Sequence, residues 1–247
     1  MDKLIKSLSK VATMIVTFFA AAVFYFNYKG FVIDENGQIV LKIQAASAAE
    51  KNGIATVLPQ ELNINASTKY ATGSYNAPIT LYEFSSLGCP HCADFHLDVI
   101  PKLEKEYVEQ GLLRIVFVNF PLDKKSMEAA MLLQCASTDN YHAFLSRLFD
   151  KQRFWYLAGD TTPLHTYAAE YGISYDEAEA CLHDDAMAQI IISDRQQGLK
   201  QLGMTGTPAL LFSGRDGNEI IYSAASFNSL KEYLDDRYAR MGIKQPK

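Results

Sequence analysis

Runs of apolar residues separated by short polar breaks mark out the elements of this chain. Residues 79–84 form one such run, interrupted by a single acid, Glu83, and its length suits a buried strand. From 90 to 110 the apolar side chains Phe95, Val99, Ile100, Leu103 and Tyr107 recur at helical spacing, and Gly111 ends the pattern. Pro101 inside that span predicts a kink or break. Residues 112–120 are largely apolar and read as a second buried strand, so the order strand–helix–strand implies a right-handed crossover and parallel pairing. Residues 124–200 are almost wholly helical in pattern. Segments are expected over 126–136, 141–157, 175–182 and 185–202, with another opening at Thr162-Pro163, where Thr162 serves as cap. A buried strand then returns over 205–212, with Pro208 at or just before its first position. Residues 214–217 turn the chain, 219–222 form an antiparallel edge, and Ser226 or Asn228 caps a last helix carrying Leu230, Leu234 and Tyr238.

The N-terminal pattern is different. Lys3, Lys6 and Lys10 precede an apolar run over 11–26, and polar or charged residues return at Asn27 and Lys29. As a helix the run spans about 24 Å, short of a ~30 Å hydrocarbon core unless flanking residues contribute. Residues 1–29 therefore read as either a cleaved signal peptide or an uncleaved membrane anchor, which places the rest of the chain across the membrane from the lysines. Residues 30–74 read as a tether or arm. Within it, Asn36-Gly37 between two apolar runs signals a hairpin, 45–51 is loosely helical, 63–68 is linker-like, and Asn65-Ala66-Ser67 matches a glycosylation acceptor pattern. A third region, 75–247, carries the main domain, with a helical insertion at about 124–202.

Composition narrows the function classes. A formal net charge of -5 gives no reason to expect nucleic-acid binding, and 49% hydrophobic residues supply a sizeable core. Four cysteines in 247 residues are too few for a disulfide scaffold and are better read as two pairs, Cys89 with Cys92 and Cys135 with Cys181. Four cysteines permit three pairings. The second pair lies in apolar or alanine-rich helical segments and reads as a structural disulfide, against the alternative of free buried thiols.

Candidate chemistry concentrates on Cys89-Pro90-His91-Cys92, which follows the first buried strand and opens a helix. Pro90 suits a first helical turn, where a missing N–H leaves nothing unpaired. The free amides and the dipole of that turn stabilise a thiolate at Cys89. The same spacing is half of a zinc site, and Cys89, Cys92 and His96 are three ligand types, but no fourth ligand is evident. The strand-to-helix context favours redox chemistry.

These residues, together with Asn76-Ala77-Pro78, Glu83 and Gly206-Thr207-Pro208, resemble the thioredoxin-like superfamily, and within it the DsbA-like bacterial periplasmic thiol:disulfide oxidoreductases. The resemblance runs from about Asn76 to the last helix. It implies an α/β thioredoxin-like fold with a central mixed sheet and a helical insertion. It further implies that Pro208 is cis and faces the cysteines, and that Thr207 and Pro208 support an extended substrate. In the same scheme Glu83 is a buried acid assisting proton transfer at Cys92, and His91 tunes the Cys89 thiolate. No cofactor is expected. The expected partners are exported proteins with reduced cysteines and a membrane redox protein that reoxidises the dithiol. The expected location is the periplasm, with anchorage to the inner membrane if the N-terminal segment is retained. Thr207 before Pro208 keeps a disulfide isomerase or reductase open as the alternative to a disulfide donor, in which case 30–74 would be an oligomerisation arm. A non-catalytic chaperone is the alternative of another class.

Overall fold

The computed structural model describes residues 31–33, 39–41, 55–58 and 70–244. The chain divides into two units, Met1–Ala49 and Glu50–Lys247. In the first, β1 (Phe31–Ile33) pairs antiparallel with β2 (Ile39–Leu41), Phe31 opposite Leu41; Asn36-Gly37 lies outside the described residues.

The second unit is built on a five-stranded mixed sheet. Its strands are β3 (Thr56–Leu58), β4 (Ile79–Ser85), β5 (Leu113–Asn119), β6 (Ala209–Gly214) and β7 (Gly217–Ile221), in the order β3-β7-β6-β4-β5. Only β4 and β5 run parallel, and a helical crossover joins them as expected. That crossover contains α1 (Pro90–Asp98), α2 (Ile100–Leu103) and a π-helical turn over Glu104–Val108. The break falls at Val99, two residues ahead of Pro101, because proline disfavours helical backbone before it and removes an N–H from the ladder. The insertion between β5 and β6 holds α3 (Lys124–Gln134), α4 (Tyr141–Asp150), α5 (Gln152–Leu157), α6 (Thr162–Glu170), α7 (Tyr175–Leu182) and α8 (Asp185–Gln201). After β7, α9 (Phe227–Arg240) closes the fold, capped by Ser226, whose hydroxyl accepts from the Ser229 amide. This is the α/β thioredoxin-like architecture with a mixed sheet and a helical insertion.

The two-residue period of β4 sorts its side chains between two cores. Ile79 and Leu81 pack with Phe95, Leu103, Phe212 and Leu234 beneath α1, α2 and α9. Phe84 lies in the opposite core with Val116, Val118, Leu211 and Leu202. The insertion has its own core around Leu132, Phe144, Leu148 and Trp155.

Several expectations change. The 141–157 helix is two, broken at Lys151, so that both Gln152 and Trp155 turn inward. Thr162 is not a cap but the first residue of α6, and its amide donates to the Asp160 carboxylate, a stronger acceptor than a hydroxyl. β7 is not an edge: β3 pairs along it antiparallel, Val57 opposite Glu219, with Ala55 and Leu58 buried. Part of the tether expected over 30–74 is thus a strand. The edge strand β5 is covered at one point by Thr72, which exchanges two 2.9 Å backbone hydrogen bonds with Ile115. The readings of 45–51, 63–68 and the Asn65 acceptor pattern lie outside the described residues.

The expectation of an inner-membrane anchor is corrected. Among the described residues no helix is long and apolar enough to cross a membrane. The longest, α8, has 17 residues, about 26 Å of rise, and carries Asp185, Asp194, Arg195 and Lys200. The 11–26 run on which the anchor rested lies outside the described residues.

Two features tie this architecture together and make measurable demands. Arg237 is fully buried. It donates to both Asp216 oxygens and to the carbonyls of Phe212 and Gly217, joining α9 to the β6–β7 turn. Arg237→Ala leaves those acceptors unpaired beside a cavity and is expected to lower stability by roughly 3 kcal/mol or more in urea unfolding. Cys135 at the end of α3 and Cys181 in α7 form a disulfide across a separation of 46 residues. Replacing both with alanine is expected to cost roughly 3–4 kcal/mol in the same measurement.

Candidate active site

The site forms where β4 ends and α1 begins. Cys89 is the residue just before α1, in extended conformation (φ -85°, ψ 121°), with Pro90 in the first turn. Its thiol therefore lies beside the amides of the first turn, whose N–H groups have no intrahelical acceptor. Three residues on, Cys92 is buried in the helix at 0% exposure, while Cys89 is half-exposed. This difference follows from α1 lying flat on the sheet: its first turn emerges at the strand ends and its next turn sinks into the core.

The opposite wall is the segment before β6. The Thr207–Pro208 peptide bond is cis, and the Cys89 thiol reaches the Thr207 carbonyl at 3.5 Å. Pro208 is buried and Thr207 half-buried, so both substrate-contact candidates stand next to Cys89.

The insertion holds the loop between strand and helix. Gln152 Nε2 donates to the carbonyls of Leu87 (2.7 Å) and Cys89 (3.0 Å). Gly88 permits this closeness, since a Cβ there would lie 2.3 Å from Ser126 Oγ and 2.6 Å from the Tyr156 ring. Tyr156 is fixed in turn by its hydroxyl on Asp123 (3.0 Å), and Asp123 also caps α3. Sequence reading missed Gln152 and Asp123 as supports, because nothing in their local patterns refers to a loop some 35–65 residues away, and it missed Gly88 because the groups it makes room for are equally distant along the chain. Of the three consecutive aromatic residues in α5, Trp155 is buried with its indole N–H on the Leu148 carbonyl, Tyr156 touches the site, and Phe154 faces outward.

The two sulfurs differ electrically. The Cys89 pKa is lowered to about 5, first by the Cys92 thiol hydrogen bond and then by the Thr207 side chain and the amides of Cys92 and His91, against an opposing effect of burial. The contact to the Thr207 carbonyl belongs to the thiol form, in which Cys89 still has a proton to donate. Cys92 is pushed the other way, well above an ordinary thiol, by burial first and by its bond to Cys89 second. His91 reaches Cys89 through its amide; its ring is exposed.

Glu83 is 1% exposed, and its Oε2 lies 3.5 Å from His96 Nδ1. The β4 side chain that acts on Cys92 is Ser85, which opposes the upward push of burial. Cys135 and Cys181 lie in the insertion, bonded to each other. Among the described residues no group of three or more His, Cys, Asp or Glu side chains is placed to hold a metal; His96 turns toward Glu83 and Ser146 rather than toward the cysteines.

Comparison with known proteins gives consistent matches. The thioredoxin family profile matches residues 65–236. A putative protein-disulfide oxidoreductase of Rickettsia conorii is 27% identical over 69% of this chain, and the match spans 64% of that relative's length. Disulfide bond formation protein D of Bacillus subtilis is 24% identical over 66% of this chain and 74% of its own. The crystal structure of Wolbachia pipientis alpha-DsbA1 superposes with a TM-score of 0.63 at 27% identity, over 69% of this chain and 91% of that one.

The electrostatics set a direction that can be measured. An ordinary thiol titrates near 8.5, so a Cys89 lowered to about 5 adds stability to the reduced protein that is complete above about pH 8.5 and is lost as pH falls through 5. Thiolate absorbance of the reduced protein is expected to titrate with a midpoint about 5. Cys89→Ala should remove that step, and Cys92→Ala should move the midpoint upward. A midpoint left near that of a free thiol would contradict this account.

Proposed function

The chain belongs to the thioredoxin superfamily, among its DsbA-like thiol–disulfide oxidoreductases, and from that membership we propose that it is an enzyme introducing disulfide bonds into exported proteins through Cys89 and Cys92. The observation that carries this reading is the asymmetry of the pair: a half-exposed sulfur held as thiolate next to a buried one held as thiol.

The chemistry follows from that asymmetry. In the oxidised enzyme Cys89 and Cys92 share a disulfide. A substrate thiolate attacks the accessible Cys89 sulfur, the Cys89–Cys92 bond breaks, and Cys92 leaves and takes up a proton. A second substrate thiolate then attacks the substrate sulfur of the mixed disulfide. The substrate disulfide forms and Cys89 departs as a thiolate. The substrate has lost two electrons and the enzyme has gained them. Stabilising the departing Cys89 thiolate stabilises the reduced enzyme, which makes the disulfide form a good oxidant. A membrane redox partner would reoxidise the dithiol. Thr207 and Pro208 would lie along the substrate backbone, with the Thr207 carbonyl facing Cys89.

The purified protein is expected to oxidise a dithiol peptide, and Cys89→Ala to lose at least about a hundredfold of that rate. The equilibrium reduction potential of the pair is expected above about −200 mV. A value close to that of thioredoxin, about −270 mV, would replace disulfide donation with a reductase role.

A further inference from the structure

Glu83 and Ser85 lie on one face of β4, two residues apart, and Cys92 and His96 lie on one face of α1, four residues apart. Two strand residues rise about 6.7 Å and four helical residues about 6 Å, so the two rows match rung for rung. Ser85 meets Cys92 on the upper rung, and Glu83 meets His96 on the lower. All four are buried. Glu83 Oε1 and Ser85 Oγ make no hydrogen bond, and His96 Nδ1 stands 3.5 Å from Glu83 Oε2 without being aligned into one. On its far side His96 Nε2 lies 3.5 Å from the hydroxyl of Ser146, a half-buried residue of α4. The row thus runs from the buried sulfur toward the surface.

We infer that His96 is a positioning residue for the reaction, carrying protons between Glu83 and the exterior so that buried Cys92 can gain and lose its own. The inference rests on the thiol–disulfide exchange proposed above. In the oxidising direction of the enzyme, a mixed disulfide at Cys89 is resolved as the Cys92 S–H proton passes to Glu83. The Cys92 sulfur then attacks Cys89, the bond from Cys89 to the outer sulfur breaks, and the outer thiolate departs with the electron pair. Glu83 returns its proton through His96. Donation to a substrate runs the same proton inward. The groups facing His96 are Glu83 from β4, Glu104 from the π turn, and His142 and Ser146 from α4, with the rings of Phe117 and Phe149 closing the sides. The ring so enclosed is 8% exposed.

The test uses the full chain and oxidised glutathione, following by quenched mass analysis the formation and then the resolution of the Cys89–glutathione mixed disulfide. His96→Gln and Glu83→Gln are each expected to slow resolution about tenfold or more at neutral pH while Cys89 alkylation stays within about twofold. The double variant should be no slower than the slower single one, because the two act in series. Both variants should converge on the native rate at alkaline pH, where hydroxide takes the proton directly; a merely structural role would not produce that convergence. Native-like resolution in His96→Gln at every pH overturns the inference, as does a parallel loss of Cys89 alkylation. If His96→Gln does not fold, the profile of Glu83→Gln decides, and a native profile there overturns it. Failure of oxidised glutathione to oxidise the native Cys89–Cys92 pair at all would overturn the exchange reading itself, and this inference with it.

Discussion

The register of α1 on β4 is the constraint from which the rest of this site derives. The helix begins at the strand's end and runs back along it, so each turn of helix faces a particular pair of strand residues. Deep in the sheet the facing residues are Ile79 and Leu81, and the contact is apolar. Nearer the end they are Glu83 and Ser85, and it becomes polar without becoming wet. One helix thereby presents an accessible sulfur at its start, a buried sulfur one turn in, and an imidazole one turn deeper. A shift of one residue in β4 would turn Glu83 and Ser85 to the other face and leave Cys92 among apolar side chains.

Burial and hydrogen bonding then act in opposite directions on two chemically identical groups. Cys89 loses some solvent but gains donors from Cys92, Thr207 and the first-turn amides, and the donors prevail. Cys92 loses nearly all solvent and gains too little, and desolvation prevails. The insertion contributes to this contrast. Gln152 occupies the carbonyls of Leu87 and Cys89, which keeps the loop closed over Cys92, and the absence of a side chain at Gly88 lets Tyr156 and Ser126 approach. The two cysteines at the helix start are in this way braced from an insertion that follows them by more than thirty residues.

Much of this was legible along the chain because it depends on local rules. Cys89-Pro90-His91-Cys92 after a buried strand, the break near Pro101, the glycine at 111 and the strand–helix–strand order each follow from spacing and backbone preference. The pairing of β3 with β7 was harder. Thr56–Leu58 is only three residues long, too short for a period to mark it, and its pairing with β7 is a long-range contact. Asp123 as a cap and Asp160 as the acceptor of the Thr162 amide were missed because each is one among several polar residues before its helix. His91, singled out by its place in the motif, turned out to contribute an amide, whereas His96, which looked like a stray ligand type, faces the buried acid.

What the amino-acid sequence determined by itself is the kind of chemistry and its address: two cysteines at a helix start, a Thr-Pro ahead of a later strand, and an acid in an apolar run. Those follow from residue type, spacing and the conformations that glycine and proline permit, all of which act over a few positions. Only the tertiary structure decided what each of these groups faces. Strand alternation left Glu83 without a side, and its pairing with His96 came from the packing of helix on sheet. The bond between Cys135 and Cys181 came from the folding of α3 against α7. The closeness of Thr207 to Cys89 came from β6 lying beside β4. Each joins residues that chain connectivity keeps apart and that only close packing around shared cores can bring within reach.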